Sequence, residues 1–454
     1  MKRRRHDDKT ARYAAIEALR RLARTKLPMS KLFEQVAQEC RLGPNDRQLA
    51  KKISYGVLRQ RHYLDSLLTD LCRRPITKIK PFVYHALLTG LFQLFFLNRI
   101  PPSAAVNETV KAVQTAHFPK QIQGFVNGVL RESLRRKDDL PGPYDADHFQ
   151  NPFLNHPDWL TIRWRNHYGT EAMKQICATN NVEPILCLRV TQQIDKESLM
   201  ALFKDHNIMS LPGTFAPDAL LIPDIHGPIT ALPGFNENFF QVQGQAAQLT
   251  SLLLGPFCHG GTYLDCCAGL GGKTSHLASL IKKANGSLTA IEPDGDRFAK
   301  LRQNLQHRSE AKIITIRNET IEHFAKVCTV HFNAILVDAP CSGTGVICRH
   351  PDIRWNRIEQ DLISYQLRQI QILNQAAPLV LPGGVLVYAT CSIEPEENSS
   401  VIRQFLDDNR NFLLENCSDY LPASARNFVS HGCFAPLPTS EIDGFFAARL
   451  RRSA

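Results

Sequence analysis

Hydrophobic residues in the first third of the chain recur at helical spacing. From about residue 10 to residue 136, apolar side chains follow one another in the pattern that is typical of amphipathic helices. The pattern predicts helices over residues 13–23, 49–58, 63–71 and 106–116, separated by breaks at Gly43-Pro44, Pro75, Pro101-Pro102 and Pro119. The uncharged stretch 82–97 is short for a membrane span, so it predicts a buried core helix. The first third is therefore expected to be all-α.

A regular alternation of strand and helix begins near residue 261. Short apolar runs predict strands over residues 261–266, 287–291, 313–316, 334–337 and 385–388. Helical patterns lie between them over residues 273–281, 297–305 and 358–373. This order is typical of a parallel sheet with helices on both faces, and a last strand is predicted over residues 444–450.

The stretch between these two regions sets the predicted domain boundaries. Residues 141–152 contain proline, glycine and aspartate and are typical of a linker. Helical patterns follow over residues 159–168, 171–177 and 196–203, and short strands are predicted over residues 186–191 and 219–222. We therefore predict a helical domain over residues 1–140, a small α+β module over residues 150–235 and an α/β domain over residues 236–454.

Charge separates the first third from the remainder. The chain has 454 residues, with 54 Lys+Arg and 43 Asp+Glu. Residues 1–150 contain 28 of the basic and 14 of the acidic residues, so the whole positive excess lies there. A basic helical domain is expected to bind a polyanion such as RNA. A solvated basic surface without a partner remains the alternative.

Cysteine usage indicates a reducing compartment. Thirteen cysteines is an odd number, and they show no pairs at the two-residue spacing of zinc sites. We therefore expect a cytoplasmic protein with neither a disulfide framework nor a bound metal. The basic residues 1–5 are followed by no apolar run, so no signal peptide and no membrane association are expected.

Two cysteines each follow an apolar, strand-like run. Cys341 comes after residues 335–340, and Cys391 comes after residues 385–390. In doubly wound sheets, ligands bind just beyond the carboxyl ends of the strands. Both thiols are therefore expected in one cleft, where they suit a reaction that forms and then breaks a covalent bond to the substrate. The alternative is that they are small buried apolar residues.

A glycine-rich turn over residues 265–274 joins a predicted strand to a predicted helix, which is typical of a nucleotide-binding site. A phosphate-binding P-loop requires glycine at the position of Cys267, and a nicotinamide fingerprint requires glycine at Thr274. The third candidate ligand is S-adenosylmethionine, whose ribose would meet Glu292 at the end of the next strand. A tight structural loop is the alternative for the turn alone.

Taken together, the segments resemble RNA cytosine-C5 methyltransferases of the Nop2/Sun type over nearly the whole chain. The most specific matches are Asp338-Ala339-Pro340-Cys341-Ser342-Gly343 and Thr390-Cys391-Ser392-Ile393. Others lie at residues 267–268, 271–274, 349–355, 396–398 and 443–446. The first third resembles the NusB-like RNA-binding domain at residues 55–59, 100–101, 105–108 and 125–131.

This resemblance implies a fold and an activity. It implies an all-α NusB-like N-terminal domain, a small α+β (RRM-like) middle module and a Rossmann-like class I methyltransferase domain. It also implies S-adenosylmethionine-dependent methylation of carbon five of a cytosine, through a covalent cysteine adduct. The NusB-like domain favours small-subunit (16S) ribosomal RNA, with a single-stranded or loop target, because the base must leave its stack.

The resemblance also assigns roles to individual residues. It implies that Cys391 is the nucleophile and that Cys341 assists product release. Asp338 would hydrogen-bond the polar edge of the pyrimidine, and Lys273 would lie near both the cofactor and the target base. The residues implied to bind S-adenosylmethionine are Cys267, Ala268, Gly269, Leu270, Gly271, Gly272, Lys273, Glu292, Asn318 and Asp338.

The sequence departs from the family pattern at three places. Gly269-Leu270 stands where the turn usually has Ala-Pro, Asn318 where an acid commonly faces the adenine, and Gly244 where an aspartate is expected. None of these changes removes a residue that is implied to do chemistry.

A basic and aromatic segment follows the first cysteine motif. Arg349, His350 and Arg354, with Trp355, are candidates to bind the RNA backbone and to stack on a base near the site. Ordinary packing of the tryptophan and solvation of the arginines is the alternative.

Three other functions are compatible with parts of the sequence. A transfer RNA substrate would fit the same enzyme, because Nop2/Sun relatives divide between the two RNA classes. A non-catalytic RNA-binding assembly factor would use the helical domain and a cofactor fold that has lost its activity, but the presence of both cysteines, Asp338 and Lys273 argues against such a loss. A GTPase or ATPase would use the Gly-Lys-Thr of the turn, but the upstream glycine is missing.

Overall fold

The computed structural model describes residues 9–72, 75–142, 154–225 and 227–454, and the chain divides into two compact units. Unit 1 consists of Met1–Glu183 together with Ile347–Asn356. Unit 2 consists of Pro184–Val346 and Arg357–Ala454. The basic residues 1–5 and most of the predicted linker lie outside the described residues.

Unit 1 is helical. Its helices before residue 184 are α1 (Ala11–Leu22), α2 (Met29–Glu39), α3 (Pro44–Arg59), α4 (Arg61–Leu71), α5 (Pro81–Phe96), α6 (Pro102–Thr115), α7 (Lys120–Arg135), α8 (Asp158–Tyr168) and α9 (Thr170–Asn181). Three of them begin at a proline. The first N–H of a helix has no partner within the helix, so proline, which lacks this group, costs no hydrogen bond there. The predicted core helix is confirmed, since α5 is buried along almost its whole length.

The middle part of the chain forms a small α+β layer at the start of unit 2. It contains β1 (Leu186–Val190), α10 (Lys196–Asp205), β2 (Leu211–Pro212), β3 (Ala219–Ile222) and β4 (Phe240–Val242). The four strands pair antiparallel in the order β2-β3-β1-β4. The helix packs its buried Leu199 and Phe203 against apolar residues of the sheet. Helices α8 and α9, which the sequence analysis placed in this module, share unit 1 with the N-terminal helices.

The rest of the chain forms a nine-stranded mixed sheet with helices between its strands. The elements are α11 (Gln245–Leu252), β5 (Thr262–Asp265), α12 (Gly272–Lys282), β6 (Ser287–Ile291), α13 (Gly295–Leu305), β7 (Ile314–Arg317), α14 (Ile321–Val327), β8 (Phe332–Asp338), α15 (Ile353–Asn356), α16 (Asp361–Ala376), β9 (Val380–Thr390), α17 (Ser399–Asp408), β10 (Phe412–Glu415), β11 (Val429–Ser430), β12 (Cys433–Phe434) and β13 (Phe446–Arg452). Of these elements, α15 lies in the segment that belongs to unit 1.

The sheet is parallel in its first part and antiparallel beyond β9. Strands β7, β6, β5, β8 and β9 are parallel neighbours in that order. The predicted last strand exists as β13, but it runs antiparallel to β9, and β10 and β12 pair antiparallel with it. The sequence pattern thus predicts this last strand but gives it no direction. Hydrophobic periodicity locates a strand, but it carries no information about the strand's direction.

Candidate active site

Two thiols meet where β8 and β9 end. The strands are parallel, with Asp338 opposite Ala389, so the residues that follow both strands leave the sheet at the same edge. Cys391 comes directly after β9 and Cys341 three residues after β8, and both are partly buried. Their Sγ atoms are 3.3 Å apart, which is within hydrogen-bonding distance for sulfur. The structure thus brings the two predicted cysteines together.

The surroundings of Cys341 oppose its ionisation. Its pKa is raised well above the usual range, first by the hydrogen bond to Cys391 and then by burial. The charges of Cys391, Glu397 and Asp338 act in the same direction. A second negative charge in this small, partly buried space is unfavourable, so Cys341 is expected to remain a protonated thiol at neutral pH.

An ion pair lies beside the thiols. The Nζ atom of Lys273, in the first turn of α12, is 2.7 Å from Oδ2 of Asp338 at the end of β8. Burial alone would lower the pKa of Lys273, but the charge and hydrogen bond of Asp338, together with Cys391, outweigh it and raise the pKa. The same Nζ lies 4.9 Å from the centre of the Phe445 ring. The ammonium is therefore held charged between a carboxylate, a thiol and an aromatic face.

Two glycines allow three loops to meet at this site. The Gly345 N–H donates to the carbonyl of Cys391 at 3.0 Å, and the Gly444 N–H donates to the carbonyl of Gly345 at 2.9 Å. A Cβ on Gly345 would lie 2.1 Å from the Gly444 oxygen, so no other residue fits there. The loop before β13 is in this way joined to both cysteine loops.

The glycine turn follows β5 and leads into α12. Gly269 and Gly271 have positive φ angles of 57° and 89°, a conformation that glycine adopts without strain. Asp265 anchors the turn, because its carboxylate accepts hydrogen bonds from the Cys267 N–H at 3.3 Å and the Thr274 hydroxyl at 2.8 Å. Sequence reasoning missed this role of Asp265, although a strand-ending acid before a glycine turn was a usable signal.

Glu292 connects the turn to the next strand. Its Oε2 accepts the Gly269 N–H and its Oε1 accepts the Asp294 N–H, each at 2.9 Å. Asn318, after β7, donates from its side-chain amide to the carbonyls of Glu292 at 2.8 Å and Pro293 at 3.3 Å. The ends of β5, β6 and β7 thus lie side by side, as their parallel pairing requires.

The backbone of the turn faces open space on one side. A Cβ built on Gly269 or on Gly272 would meet no atom within 4 Å, and Leu270 is 52% exposed. An accessible glycine backbone at the start of a helix, next to a buried acid, fits a ligand that combines an anionic group with a ribose. Among the remaining predicted contacts, the Ala268 N–H is already bonded to the carbonyl of Ile291, and Cys267 is partly buried.

Comparison with known proteins identifies the family. A family model described as 16S rRNA methyltransferase RsmB/F matches residues 252–451, a NusB family model matches residues 9–135, and an RsmF/B-like ferredoxin-like domain model matches residues 156–226. Ribosomal RNA small subunit methyltransferase B of Salmonella arizonae is 33% identical over 441 residues, which cover 97% of this chain and 98% of the relative. The protein of the same name from Escherichia coli O7:K1 is 34% identical over the same shares. This chain belongs to the RsmB/F family.

Solved structures agree with the RsmB/F fold. The crystal structure of PH0851 superposes with a TM-score of 0.79 at 24% identity, covering 97% of this chain and 98% of that chain. A methyltransferase homolog from Pyrococcus horikoshii superposes with a TM-score of 0.54 at 26% identity, covering 66% of this chain and 96% of that chain. The predicted fold class is confirmed: a NusB-like helical domain, a small middle domain and a Rossmann-like methyltransferase domain.

Arg354 is enclosed within unit 1 of this RsmB/F member. The residue lies in α15, is fully buried in unit 1 and donates to the carbonyl of Asn155 at 2.9 Å, the carbonyl of Asn180 at 2.6 Å and Oδ1 of Asn181 at 2.7 Å. Burial lowers its pKa to about 9. The prediction that Arg354 binds the RNA backbone is wrong, because a buried guanidinium bonded to backbone and amide oxygens cannot reach a phosphate.

Trp355 packs within the same helical unit. Its indole N–H donates to the carbonyl of Leu58 at 2.8 Å, and the Arg61 guanidinium lies 5.0 Å from its ring centre. This packing corresponds to the structural alternative for Trp355. The role predicted for Arg349 and His350 in RNA binding stays a prediction.

Over the described ranges, no three His, Cys, Asp or Glu side chains are grouped so that they could hold a metal ion. Within those ranges no helix is long and apolar enough to cross a bilayer.

Proposed function

We propose that this protein methylates carbon five of a cytosine in small-subunit (16S) ribosomal RNA, with S-adenosylmethionine as the methyl donor and a covalent adduct to Cys391. The observation that carries the covalent route is the pair of sulfur atoms 3.3 Å apart beside the Lys273–Asp338 ion pair. The ribosomal substrate is supported by the relatives named ribosomal RNA small subunit methyltransferase B.

The chemistry of cytosine explains why a cysteine is needed. Carbon five of the ring is a poor nucleophile. When the Cys391 thiolate adds to carbon six, a C–S bond forms and the electrons of the ring double bond become available at carbon five. A thiolate suits this step because it is a strong nucleophile near neutral pH and can also leave again.

Release of the product needs two further changes on the ring. After carbon five carries the methyl group, its proton passes to solvent water, and the freed electron pair re-forms the C5–C6 double bond while Cys391 departs as a thiolate. The Cys341 thiol, held 3.3 Å away, is positioned to donate a hydrogen bond to that departing sulfur. The raised pKa of Cys341 supports this division of roles, because a thiol that stays protonated is a hydrogen-bond donor rather than a nucleophile.

The ion pair acts on the ring and on the nucleophile. Asp338 would accept hydrogen bonds from the polar edge of the pyrimidine, which orients the ring beside Cys391. Lys273 fixes the Asp338 carboxylate, and its ammonium interacts electrostatically with Cys391.

The residues around the glycine turn fit the cofactor. The Leu270 and Gly272 amides and the start of α12 would hold its carboxylate end, Glu292 its ribose hydroxyls and Asn318 its adenine edge. When bound there, S-adenosylmethionine supplies an electrophilic methyl group on a sulfonium. The open space beside Gly269 and Gly272 supports this assignment.

A direct assay tests the proposal. The purified protein is incubated with small-subunit ribosomal RNA and methyl-labelled S-adenosylmethionine, and 5-methylcytosine is mapped by bisulfite sequencing. We expect label at cytosine in ribosomal RNA and none in a matched transfer RNA pool. Label on another atom or base, or label confined to transfer RNA, would contradict the proposed activity.

A further inference from the structure

A buried carboxylate lies between the two cysteine loops. Glu397 is fully buried, and its carboxylate accepts the backbone N–H of Ser342 at 2.8 Å and the hydroxyl of the same residue. It also accepts the hydroxyl of Ser392 at 2.5 Å. Ser342 and Ser392 are the residues that immediately follow Cys341 and Cys391. A single side chain therefore bonds directly to both loops.

A second set of contacts ties the residue before Cys341 to the same carboxylate. The side-chain amide of Gln369, in α16, donates to the carbonyl of Pro340 at 3.0 Å and to Oε1 of Glu397 at 3.0 Å. Cys341 is thus flanked on both sides by residues that are joined to Glu397.

The neighbouring Asn398 does the same for Cys391. Its Oδ1 accepts the Thr390 hydroxyl at 2.7 Å, and its Nδ2 donates to the carbonyl of Ser392 at 3.0 Å. The Tyr388 hydroxyl donates to the carbonyl of Glu397 at 2.5 Å, which fixes this pair of residues to β9 itself.

The hydrogen bonds of Glu397 suit a residue that orients its neighbours better than one that transfers protons. In the part of the chain that the structure describes, every donor to its carboxylate is a neutral amide or hydroxyl. Burial raises its pKa, while the hydrogen bonds from Ser342, Ser392 and Gln369 oppose that rise. A group enclosed in this way cannot touch a substrate, so any effect on the reaction must pass through the loops that it holds.

We propose that Glu397 is a positioning residue that holds both cysteine loops, through Ser342 and Ser392, so that the two sulfur atoms stay within hydrogen-bonding distance. Its effect on turnover rests on the proposed function, whereas its effect on the distance between the sulfur atoms does not. Loss of the carboxylate removes the direct bonds to both loops at once and leaves the sulfur atoms free to separate.

Oxidative cross-linking measures the sulfur geometry without RNA or cofactor. The full-length protein is treated with diamide, which takes two electrons and two protons from two thiols and leaves a disulfide. The Cys341–Cys391 peptide is then quantified by mass spectrometry. We expect cross-linking in E397A to be at least about tenfold slower than in the wild type, since proximity governs such intramolecular steps.

Conservative variants separate hydrogen bonding from charge. E397Q keeps an oxygen for the Ser342 N–H and offers an amide to the serine hydroxyls, so its cross-linking rate should be close to that of the wild type. Glu310→Ala is the matched control, because Glu310 is also buried and accepts a serine hydroxyl, at 2.7 Å from Ser309.

If E397A does not fold, Ser392→Ala removes one of the same bonds and should slow cross-linking, though less than E397A would. A wild-type cross-linking rate in E397A would overturn the proposal. If Ser392→Ala is used instead, a wild-type cross-linking rate in that variant would do the same.

Steady-state kinetics distinguish this inference from the proposed function. In E397A, kcat should fall by about 100-fold with little change in KM for RNA, and E397Q should recover most of the loss, because misplacement of a reacting group acts on the chemical step. If the wild type transfers no methyl group, the proposed function is refuted but the positioning role is not. The cross-linking rates would still test the positioning role. If the wild type is active and E397A matches it in both assays, the positioning role is refuted but the proposed function is not.

Discussion

At the scale of single residues, the two cysteines differ in their surroundings more than in their positions. They lie 3.3 Å apart at the ends of neighbouring strands, yet the environment of Cys341 raises its pKa well above the usual range. Two thiolates at this distance would repel each other strongly. We therefore expect different consequences when each cysteine is removed.

Replacing Cys391 by alanine should abolish methyl transfer and leave RNA binding intact. The substitution removes the proposed nucleophile but none of the basic residues that would contact phosphates. Label incorporation and filter binding measure the two properties separately. Cys258→Ala, which changes an exposed cysteine outside the site, should behave like the wild type. Appreciable turnover by the Cys391 variant would contradict the assignment.

Replacing Cys341 by alanine should trap the covalent intermediate. Without the thiol that assists departure of the Cys391 sulfur, the adduct is expected to accumulate during incubation with RNA and S-adenosylmethionine. A slowly migrating band on a denaturing gel reports the adduct. The band should disappear in the double variant that lacks both cysteines, and its absence from the single variant would argue against the proposed role of Cys341.

At the scale of elements, strand ends and turns were the most predictable features. The helix α12 was predicted over residues 273–281 and is observed at Gly272–Lys282, because a glycine turn marks its start. Both cysteines could be predicted near one cleft because parallel strands end at a common edge. The strand β4 was missed, since three residues are too few for alternation to be recognised. The direction of β13 was missed because periodicity does not encode it.

The role of Glu397 could not be predicted from sequence alone. In the sequence Glu397 is only part of a family-like segment, and its proposed function depends on contact with Ser342, 55 positions earlier in the chain. Arg354 was misassigned for a related reason. An arginine that binds RNA and one that binds buried carbonyls look the same in a sequence, and only its contacts with Asn155 and Asn180 distinguish them.

The turn between β5 and α12 gives a pH-dependent prediction. Burial raises the pKa of Asp265 to about 6, against 3.8 without the fold, so the folded state holds its proton over a range in which the unfolded chain has released it. Stability therefore falls as the pH rises through this window and stays lower above it. Asp265→Asn keeps groups that can bond Thr274 and the Cys267 N–H but does not titrate.

The variant should gain stability relative to the wild type as the pH rises. From the two pKa values, the difference in free energy of unfolding should shift by about 2 kcal/mol in favour of Asp265→Asn between about pH 4.5 and about pH 7.5. Urea denaturation at both pH values measures the shift. If the difference in free energy of unfolding between the variant and the wild type does not change with pH, it does not come from the titration of Asp265.

At the scale of the whole molecule, the chain leaves unit 2 after Val346, contributes Ile347–Asn356 to unit 1 and returns at Arg357. The inserted segment follows the Cys341 loop directly. Within unit 1, its Asp352 carboxylate accepts the N–H of Met29 at 3.0 Å, where α2 begins without a side-chain cap of its own. The helical unit is thus completed by residues that lie far along the chain.

Arg354→Ala should destabilise the helical unit by about 3 kcal/mol or more, because it removes a shared donor from several oxygens and creates a cavity. All three tryptophans of the chain, Trp159, Trp164 and Trp355, fall in unit 1, so their fluorescence during denaturation reports on that unit. Arg131→Ala, at an exposed position of the same unit, is the control. Unchanged tryptophan unfolding in the Arg354 variant would contradict the structural role.

The inserted segment also has a consequence for biosynthesis. When the first 183 residues have emerged from a ribosome, the carbonyls of Asn155 and Asn180 still lack the guanidinium that pairs with them. The nascent helical unit therefore lacks these hydrogen bonds until translation has passed residue 356, although N-terminal domains usually fold first. Premature termination anywhere before that point would release a polypeptide that chaperones and proteases should recognise as unfinished.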